Sequence, residues 1–307
     1  MDYLIQSLKA NTRIFSVLNR AHLFFALSIV LFWLTSYGFD WALENLMRHY
    51  SIAITMIFGS LVAGGTALGG GSVAFPVLTK TLGIVPIKAK IFSLAIQSVG
   101  MTAASATIIC KKIPFYPRMV GLTLIGAVPG VLVSLTWISD LIPRLATKSI
   151  FSLLLLAFAI VLIKTYSPQS KESSSYHHAR ILVPCFGFFG GIISGLLGSG
   201  VDIFIFSLLV LYYRVDIKKA TATSVIVMAI ISIISSMYNI FVLETLTPEI
   251  QQYVHAAMPV VVFGAPLGAW ICSRLPNTVL LMILLFLISC EVGFTGYELL
   301  GRLFVWG

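Results

Sequence analysis

Long apolar stretches separated by short polar connections recur along the whole chain. A helix needs about 20 apolar residues to cross a hydrocarbon core about 30 Å thick. The pattern therefore predicts an all-α integral membrane protein. We place its membrane segments near residues 21–38, 51–68, 72–86, 89–110, 118–138, 147–166, 181–198, 201–213, 220–242, 254–273 and 278–299.

Two of these segments, 72–86 and 201–213, are short for a full span. Each directly follows a cluster of glycine residues, and a glycine weakens a helix by about 1 kcal/mol relative to alanine. We therefore expect half helices or re-entrant segments at these two places.

The composition supports this interpretation and argues against other classes. Hydrophobic residues make up 58% of the 307 residues, charged residues make up 10%, and the mean hydropathy is +1.00, whereas soluble domains carry about 25% charged residues. The net charge of +9 comes from basic residues that lie mostly on the short connections, where membrane topology places them. We therefore expect a lipid bilayer as partner and no nucleic acid.

A polar stretch near the middle of the chain, SPQSKESSSYHHAR at residues 167–180, is typical of a surface loop. It separates a first membrane repeat at 51–166 from a second at 181–307. Residues 1–50 form an N-terminal extension, whose apolar segment is long for a signal peptide and lacks a cleavage site, so we expect one uncleaved transmembrane helix there. The distribution of basic residues favours a cytoplasmic N-terminus.

Three short matches in the same order relate the two halves of the chain, about 130 residues apart. GTALGGGSVAFPV (65–77) resembles SGLLGSGVDIFIF (194–206), KAKIFSLAI (88–96) resembles KATATSVIV (219–227), and GAVPG (126–130) resembles GAPLG (264–268). We infer a duplicated unit of about five segments. Because five is odd, the second copy enters the membrane from the opposite side, which predicts two inverted repeats, a common build for secondary transporters.

The glycine clusters carry the strongest indication of function. Each interrupts an apolar helix, and unpaired backbone groups are tolerated in a membrane only where they face protein or a water-filled cavity. Two breaks related by the repeat would bring backbone N–H groups and helix N-termini to one midplane site, and those groups attract an anion. The candidate substrate-binding residues of the two clusters are Gly69, Gly70, Gly71 and Ser72 in the first copy and Gly198, Ser199 and Gly200 in the second.

Close helix packing is the alternative explanation for the same glycines. Small residues recur every four positions before each break, from Gly59 to Gly71 and from Gly187 to Ser199. Such a stripe lets two helices approach closely. The two explanations are compatible, because the stripe precedes the break.

Further polar side chains lie within the apolar helices that follow each glycine cluster. Ser93 and Ser224 occupy matching positions, Thr223 precedes Ser224, and Gln97 follows Ser93 by one helical turn. Hydroxyl and amide groups can bind a sulfonate or a carboxylate without burying a second charge, so all four are substrate-binding candidates. Hydrogen bonding between helices is the alternative.

Asp202 stands where the first copy has Val73. An ionisable side chain at that depth is unfavourable unless it faces a cavity or a partner, so coupling to protons through Asp202 is one hypothesis. The alternative is an N-terminal helix residue that the helix dipole favours. Lys88 and Lys219, which also match, either draw anions towards the site or lie at the membrane interface.

Catalytic and nucleotide-binding motifs are absent from the sequence. It contains no HExxH, no GxSxG and no P-loop. The adjacent His177 and His178 make a poor metal site. We therefore expect a protein that is not an enzyme and that uses no metal or other cofactor.

The duplicated glycine motif resembles that of the TauE/SafE sulfite exporter family. It reads GGGSVAFPVLT at 69–79 and GSGVDIFIFSLL at 198–209, and each copy is followed by an Ala-x-x-x-Ser element, at 89–93 and 220–224. The resemblance implies two halves of several helices each, and a substrate among sulfite, sulfonates and other small sulfur-containing or organic anions. The second copy departs from the family pattern at Ser199, Asp202 and Ile205.

These observations predict a secondary transporter, working as an exporter, that moves a small anion across the inner membrane of a bacterial cell. The substrate would lie between the two glycine breaks. A homodimer is a further arrangement that the sequence leaves open. The alternative is a membrane scaffold or sensor of the same fold that transports nothing, and an intramembrane enzyme is a second alternative.

Overall fold

The computed structural model describes residues 23–70, 77–139, 141–165 and 178–305. Within these ranges every regular element is helical, which confirms the predicted all-α class. The helices are α1 (Leu23–Ser36), α2 (Phe39–Arg48), α3 (Tyr50–Gly65), α4 (Pro86–Cys110), α5 (Pro117–Val133), α6 (Arg144–Thr165), α7 (Ala179–Leu197), α8 (Val201–Ser207), α9 (Ile217–Phe241), α10 (Pro248–Arg274) and α11 (Asn277–Val305).

Three π-helical turns complete the description of the secondary structure. They are Val77–Thr81, which precedes α4, Ser134–Ile138, which continues α5, and Leu208–Tyr212, which continues α8. Most of the predicted polar loop at 167–180 lies outside the described residues, and α7 begins at its end.

The apolar segments predicted from the sequence correspond to these helices. In the described part of the chain, six are long and apolar enough to cross a membrane: α4, α5 with its π-helical turn, α7, α9, α10 and Asn277–Leu299 within α11. A seventh span results if α1 and α2 are counted as one bent element. The helix α8 together with its π-helical turn is a shorter apolar helix, as expected for the short segment at 201–213. The helix α3 is also a shorter apolar helix, although a full segment was predicted at 51–68. The other segment predicted to be short, 72–86, lies partly outside the described residues.

The sequence analysis did not predict α2. The chain bends by 98° between α1 and α2, at Gly38, whose φ is 84°. Phe39, Leu43 and Met47 form an exposed apolar face along α2, while Asn45 is buried and its Nδ2 donates to a backbone carbonyl of α10 at 2.9 Å. Such an amphipathic helix after a sharp bend is typical of an element that lies in the membrane interface.

Small residues allow two helix pairs to pack very closely, α3 with α10 and α5 with α7. A side chain at Gly64 would overlap the carbonyl of Ala265, and one at Gly191 would overlap the carbonyl of Ala127. The packing explanation of the small-residue stripes therefore applies at Gly191 of the second stripe, whereas Gly64 packs closely although it lies outside the first stripe. Each pair joins a helix of the first half of the chain to one of the second half.

The helices α4 and α9 lie at the centre and run in opposite directions. The start of α4 contacts the start of α10 through the Lys88–Glu249 ion pair. The start of α9 contacts the start of α5, where the Lys219 ammonium lies 5.6 Å from the centre of the Tyr116 ring. Because α5 follows the end of α4 and α10 follows the end of α9, the two central helices must be antiparallel.

The backbone around α4 and α9 follows the same course in both halves. Each helix is 25 residues long and follows a five-residue π-helical turn. In each half a residue with positive φ lies between the turn and the helix, Gly83 at 65° and Arg214 at 53°. The two central helices therefore have the same local architecture despite few identical residues.

Candidate functional site

The second glycine break lies against the central helix α4. The helix α7 ends at Leu197, Gly198 adopts a φ of 90° and Gly200 a φ of 154°, and α8 begins at the next residue. A Cβ on Gly198 would lie 3.0 Å from the Ser93 Cβ and 3.1 Å from the Lys90 carbonyl oxygen. Glycine is therefore required at position 198 both by its conformation and by this close approach.

Gln97 and Ser93 hold the second break through its carbonyl group. The Gln97 Nε2 donates to the Gly198 carbonyl oxygen at 2.8 Å and to the Ser93 Oγ at 2.8 Å. The Ser93 Oγ itself lies 3.5 Å from the same Gly198 oxygen. All three residues are buried, so the sequence-predicted residues Ser93, Gln97 and Gly198 form one contiguous polar cluster.

The first glycine break reaches the opposite side of the same glutamine. Gly69 adopts a φ of 68°, and a Cβ there would lie 2.5 Å from the Asp202 Oδ2 and 3.3 Å from the Gln97 Oε1. Gln97 therefore lies between the two breaks, with its amide nitrogen towards Gly198 and its amide oxygen towards Gly69.

The neighbouring glycine of the first cluster has a different role. A Cβ on Gly70 would lie 3.1 Å from the Ala63 Cβ and 3.2 Å from the Gly59 carbonyl oxygen. Gly70 therefore packs against α3 and does not point towards Gln97. The two other predicted residues of this cluster, Gly71 and Ser72, lie outside the described residues.

Asp202 occupies the N-terminus of α8. Its Oδ1 accepts the backbone N–H groups of Gly200 and Ile203, each at 3.0 Å, and the N–H of Val201 donates to the Ser194 Oγ at 2.8 Å. The backbone N–H groups of these three residues, which the sequence analysis expected to attract an anion, thus already have protein acceptors. Asp202 has the geometry of the helix N-terminal residue that was considered as its alternative role.

Thr223 and Ser224 form hydrogen bonds away from both breaks. The Thr223 Oγ1 accepts the Tyr116 N–H at 3.1 Å and so orients the start of α5. The Ser224 Oγ donates to the Thr221 carbonyl oxygen within α9 at 2.9 Å. Both side chains are buried, as is Ser199, and among the described residues neither Thr223 nor Ser224 is hydrogen-bonded to a glycine cluster.

Comparison with known proteins decides the family. The sequence model of the sulfite exporter TauE/SafE family matches residues 52–292. The chain belongs to the TauE/SafE family. Neither a curated protein nor a solved structure matches it.

Membership of the TauE/SafE family makes the chain a multi-pass membrane protein of a transporter family. That conclusion agrees with the spans described above.

Lys90 is a member of the site that the sequence analysis missed in this TauE/SafE protein. It is buried, with 5% of its surface exposed, and its Nζ lies 2.5 Å from the Ser139 Oγ at the end of α5. Spacings of three and four residues place Lys90, Ser93 and Gln97 on one face of α4. The spacing was visible in the sequence, and a lysine inside an apolar helix is rare enough to be a signal.

Lys88 and Lys219 are bound to the neighbouring helices. Lys88 forms an ion pair with Glu249, and Glu249 also accepts from the Tyr253 hydroxyl at 2.6 Å. The Lys219 Nζ lies 3.5 Å from the Tyr116 hydroxyl. Both lysines therefore join the start of a central helix to a helix of the other half, and the positive charge of Lys88 is balanced by Glu249.

A narrow cleft opens beside the end of α3, where the chain leaves that helix for the first break. Its walls come from α3, α4, α9 and α10, and its polar lining residues include Lys218 and Thr221 near the start of α9. Gly64 and Gly65, a few residues before Gly69, also line this cleft.

Proposed function

We propose that this TauE/SafE protein is a secondary transporter that exports a small sulfur-containing anion, such as sulfite or a sulfonate. Its substrate would bind beside Gln97, between the two glycine breaks. The position of Gln97, with one break on each side of its amide, is the observation that carries the proposal. An anion bound there contacts both halves of the protein, as alternating access about a central site requires.

We also propose that the two halves are inverted repeats. Three observations support this arrangement: the antiparallel central helices, the matching π-helical turns before them, and the packing of helices of one half against helices of the other. The helix α10 packs on α3, and α5 packs on α7. The five segments of each unit then cross the membrane in opposite senses.

The side chains on one face of α4 are suited to a sulfur oxyanion. The Ser93 hydroxyl and the Gln97 amide are hydrogen-bond donors, and the Lys90 ammonium, which here contacts the Ser139 Oγ, would supply a positive charge once it turns from Ser139 towards the bound anion. Sulfite and sulfonates present several acceptor oxygens to such donors, and hydrogen bonds to a charged group are stronger than those between neutral groups. A single buried lysine balances the charge of a monovalent anion.

Coupling to protons through Asp202 is part of the same proposal. An ionised carboxylate beside Gln97 repels an anionic substrate, so binding is favoured when Asp202 carries a proton. Release of that proton on one side of the membrane then favours release of the anion. The carboxylate would therefore link the movement of protons to the movement of the substrate.

Counterflow in proteoliposomes tests the proposed function. Vesicles loaded with sulfite, a sulfonate, thiosulfate or a carboxylate are assayed for uptake of the labelled anion by the unmodified protein and by Ser93→Ala and Ser232→Ala. Ser232 is the matched control, because it is also buried and its hydroxyl bonds only within its own helix at 2.9 Å. We expect sulfur oxyanions to exchange, Ser93→Ala to reduce exchange, and Ser232→Ala to leave it unchanged.

Two outcomes would contradict this assignment. Absence of exchange for every anion in the panel, with correctly inserted protein, would favour the scaffold or sensor. Equal exchange by Ser93→Ala and Ser232→Ala would exclude the α4 face as the binding surface.

A further inference from the structure

Two buried acceptor oxygens face the same point beside the first glycine break. The Asp202 Oδ2 and the Gln97 Oε1 lie 2.5 Å and 3.3 Å from the position of a Gly69 Cβ. Both atoms are buried and have no hydrogen-bond partner among the described residues, and the two side chains are 1% and 2% exposed. The remaining polar atom of each side chain is already bonded, Oδ1 to backbone N–H groups and Nε2 to Gly198 and Ser93.

Two unpaired acceptors in a buried site require a donor, because a buried polar atom without a hydrogen bond is strongly unfavourable. A proton on the Asp202 Oδ2 provides a donor without taking up space, and the Gln97 Oε1, which borders the same point, is the acceptor that we assign to it. A metal cation needs several oxygen ligands around it, and the backbone of Gly69 occupies the adjoining volume. The geometry therefore favours a proton.

We propose that Gln97 is a positioning residue that transmits the protonation state of Asp202 to the second glycine break. This inference deepens the proposed function and rests on it for its role in transport. With Asp202 protonated, its hydroxyl fixes the amide oxygen of Gln97, and the amide nitrogen stays bonded to the Gly198 carbonyl. The break is then held against α4.

Loss of the proton reverses the preferred orientation of the amide. The ionised Oδ2 repels the Gln97 Oε1 and attracts its Nε2, so the amide turns and the nitrogen leaves the Gly198 carbonyl. The proton passes from Oδ2 to water on the side to which the site is open. The Gly198 segment is thereby released from Gln97 in the same protonation state in which the proposed function has the anion leave.

No other charged side chain in the described residues disturbs this switch. The carboxyl of Asp202 interacts with backbone N–H groups. The helices packed against α8 bring neutral side chains to its N-terminus, Ser194 from α7 and Met228 from α9. On α4 the nearest charged residue is Lys90, whose ammonium points to Ser139. Asp202 is thus the titrating group of the switch.

Hydrogen exchange of residues 198–203 tests the inference without any measurement of transport. The unmodified protein, Asp202→Asn, Gln97→Met and the control Thr107→Val are compared in lipid nanodiscs at acidic and alkaline pH, with rates corrected for the intrinsic pH dependence of exchange. Asn keeps an acceptor for the N–H groups and supplies a permanent donor to Gln97. Methionine was chosen for position 97 because Met228 occupies the matching position of the second half. Thr107→Val is the control because the Thr107 hydroxyl bonds only within α4.

The four proteins should differ in a defined way. We expect exchange in the unmodified protein and in Thr107→Val to rise several-fold at alkaline pH. Asp202→Asn should exchange slowly, and Gln97→Met rapidly, at both pH values. A pH response that persists in Gln97→Met would overturn the proposal, as would the absence of a response in the unmodified protein.

Three further results separate this inference from its rivals. Hydrogen exchange that depends on Na⁺ rather than on pH would mean that a cation lies between the Asp202 Oδ2 and the Gln97 Oε1. The inference would then be wrong. If hydrogen exchange of residues 198–203 follows the expected pattern while no anion is transported, the proposed function is wrong and the switch is supported. If anion transport is observed but hydrogen exchange does not respond to pH, the switch is wrong and the transport assignment is supported.

Discussion

Replacement of Gly69 by alanine should damage the site far more than the same change at Gly83. The two glycines have nearly equal backbone conformations, with φ of 68° and 65°. Alanine in this left-handed region costs about 1–2 kcal/mol at either position. A Cβ at Gly83 has no atom within 4 Å, whereas one at Gly69 lies 2.5 Å from the Asp202 Oδ2. Gly83→Ala is therefore a control with the same strain and no intrusion.

The additional effect at Gly69 follows from the hydrogen bonds that Asp202 must give up. To make room the carboxyl has to move, and it then loses its bonds to the N–H groups of Gly200 and Ile203. Two hydrogen bonds at about 0.5–1.5 kcal/mol each amount to a further loss of about 1–3 kcal/mol. If that loss raises the free-energy barrier of the transport cycle, the rate of anion exchange falls by roughly tenfold for each 1.4 kcal/mol.

The assay compares thermal unfolding and anion counterflow for both variants at equal protein content in the vesicles. Gly69→Ala should unfold at a lower temperature than Gly83→Ala and should lose at least about tenfold in exchange, which corresponds to 1.4 kcal/mol. Gly83→Ala should retain exchange close to that of the unmodified protein. If the two variants exchange anions at the same rate, the contact between the first break and Asp202 has no part in transport.

Three other experiments test separate parts of the description. Lys90→Met should raise the half-saturating concentration of the exchanged anion at least about tenfold, while Lys90→Arg should largely preserve it. Counterflow measured over a series of anion concentrations tests this, and an equal effect of both variants would mean that the charge is irrelevant. Asp202→Asn should retain counterflow but lose uptake driven by a pH gradient, and undiminished gradient-driven uptake would exclude Asp202 from coupling. Gly64→Ala should lower the unfolding temperature because its side chain overlaps Ala265, whereas Gly121→Ala, with open space around it, should not, and equal melting of the two would refute the packing role.

The spans and the glycine breaks could be predicted from the sequence because both depend on local composition. Apolar runs of membrane length identified the helices, and glycine clusters identified the ends of α3 and α7. Ser93 and Gln97 were conspicuous as polar residues in an apolar helix, and the structure brings both to Gly198. These features need no knowledge of the tertiary arrangement.

The remaining features depend on which helices become neighbours. Gly69 and Gly70 are adjacent in sequence, yet one faces Gln97 and the other packs on α3, because the course of the chain decides where each points. A lysine near the end of an apolar helix either reaches the membrane interface or points inwards. Lys90 points inwards because its ammonium contacts Ser139, which follows the π-helical turn that continues α5. The helix α2 escaped detection because it is short and follows a sharp bend at Gly38.

The site proposed on α4 has no counterpart on α9. The α4 face presents Lys90, Ser93 and Gln97, whereas the matching positions of α9 are Thr221, Ser224 and Met228, and Ser224 bonds within its own helix. Asp202 adds to this inequality, because its carboxyl accepts the N–H groups at the start of α8 that an anion would otherwise use. We infer that side chains of α4, more than backbone amides of the breaks, select the anion, so that exchanging polar residues on α4 should change selectivity while equivalent changes on α9 should not.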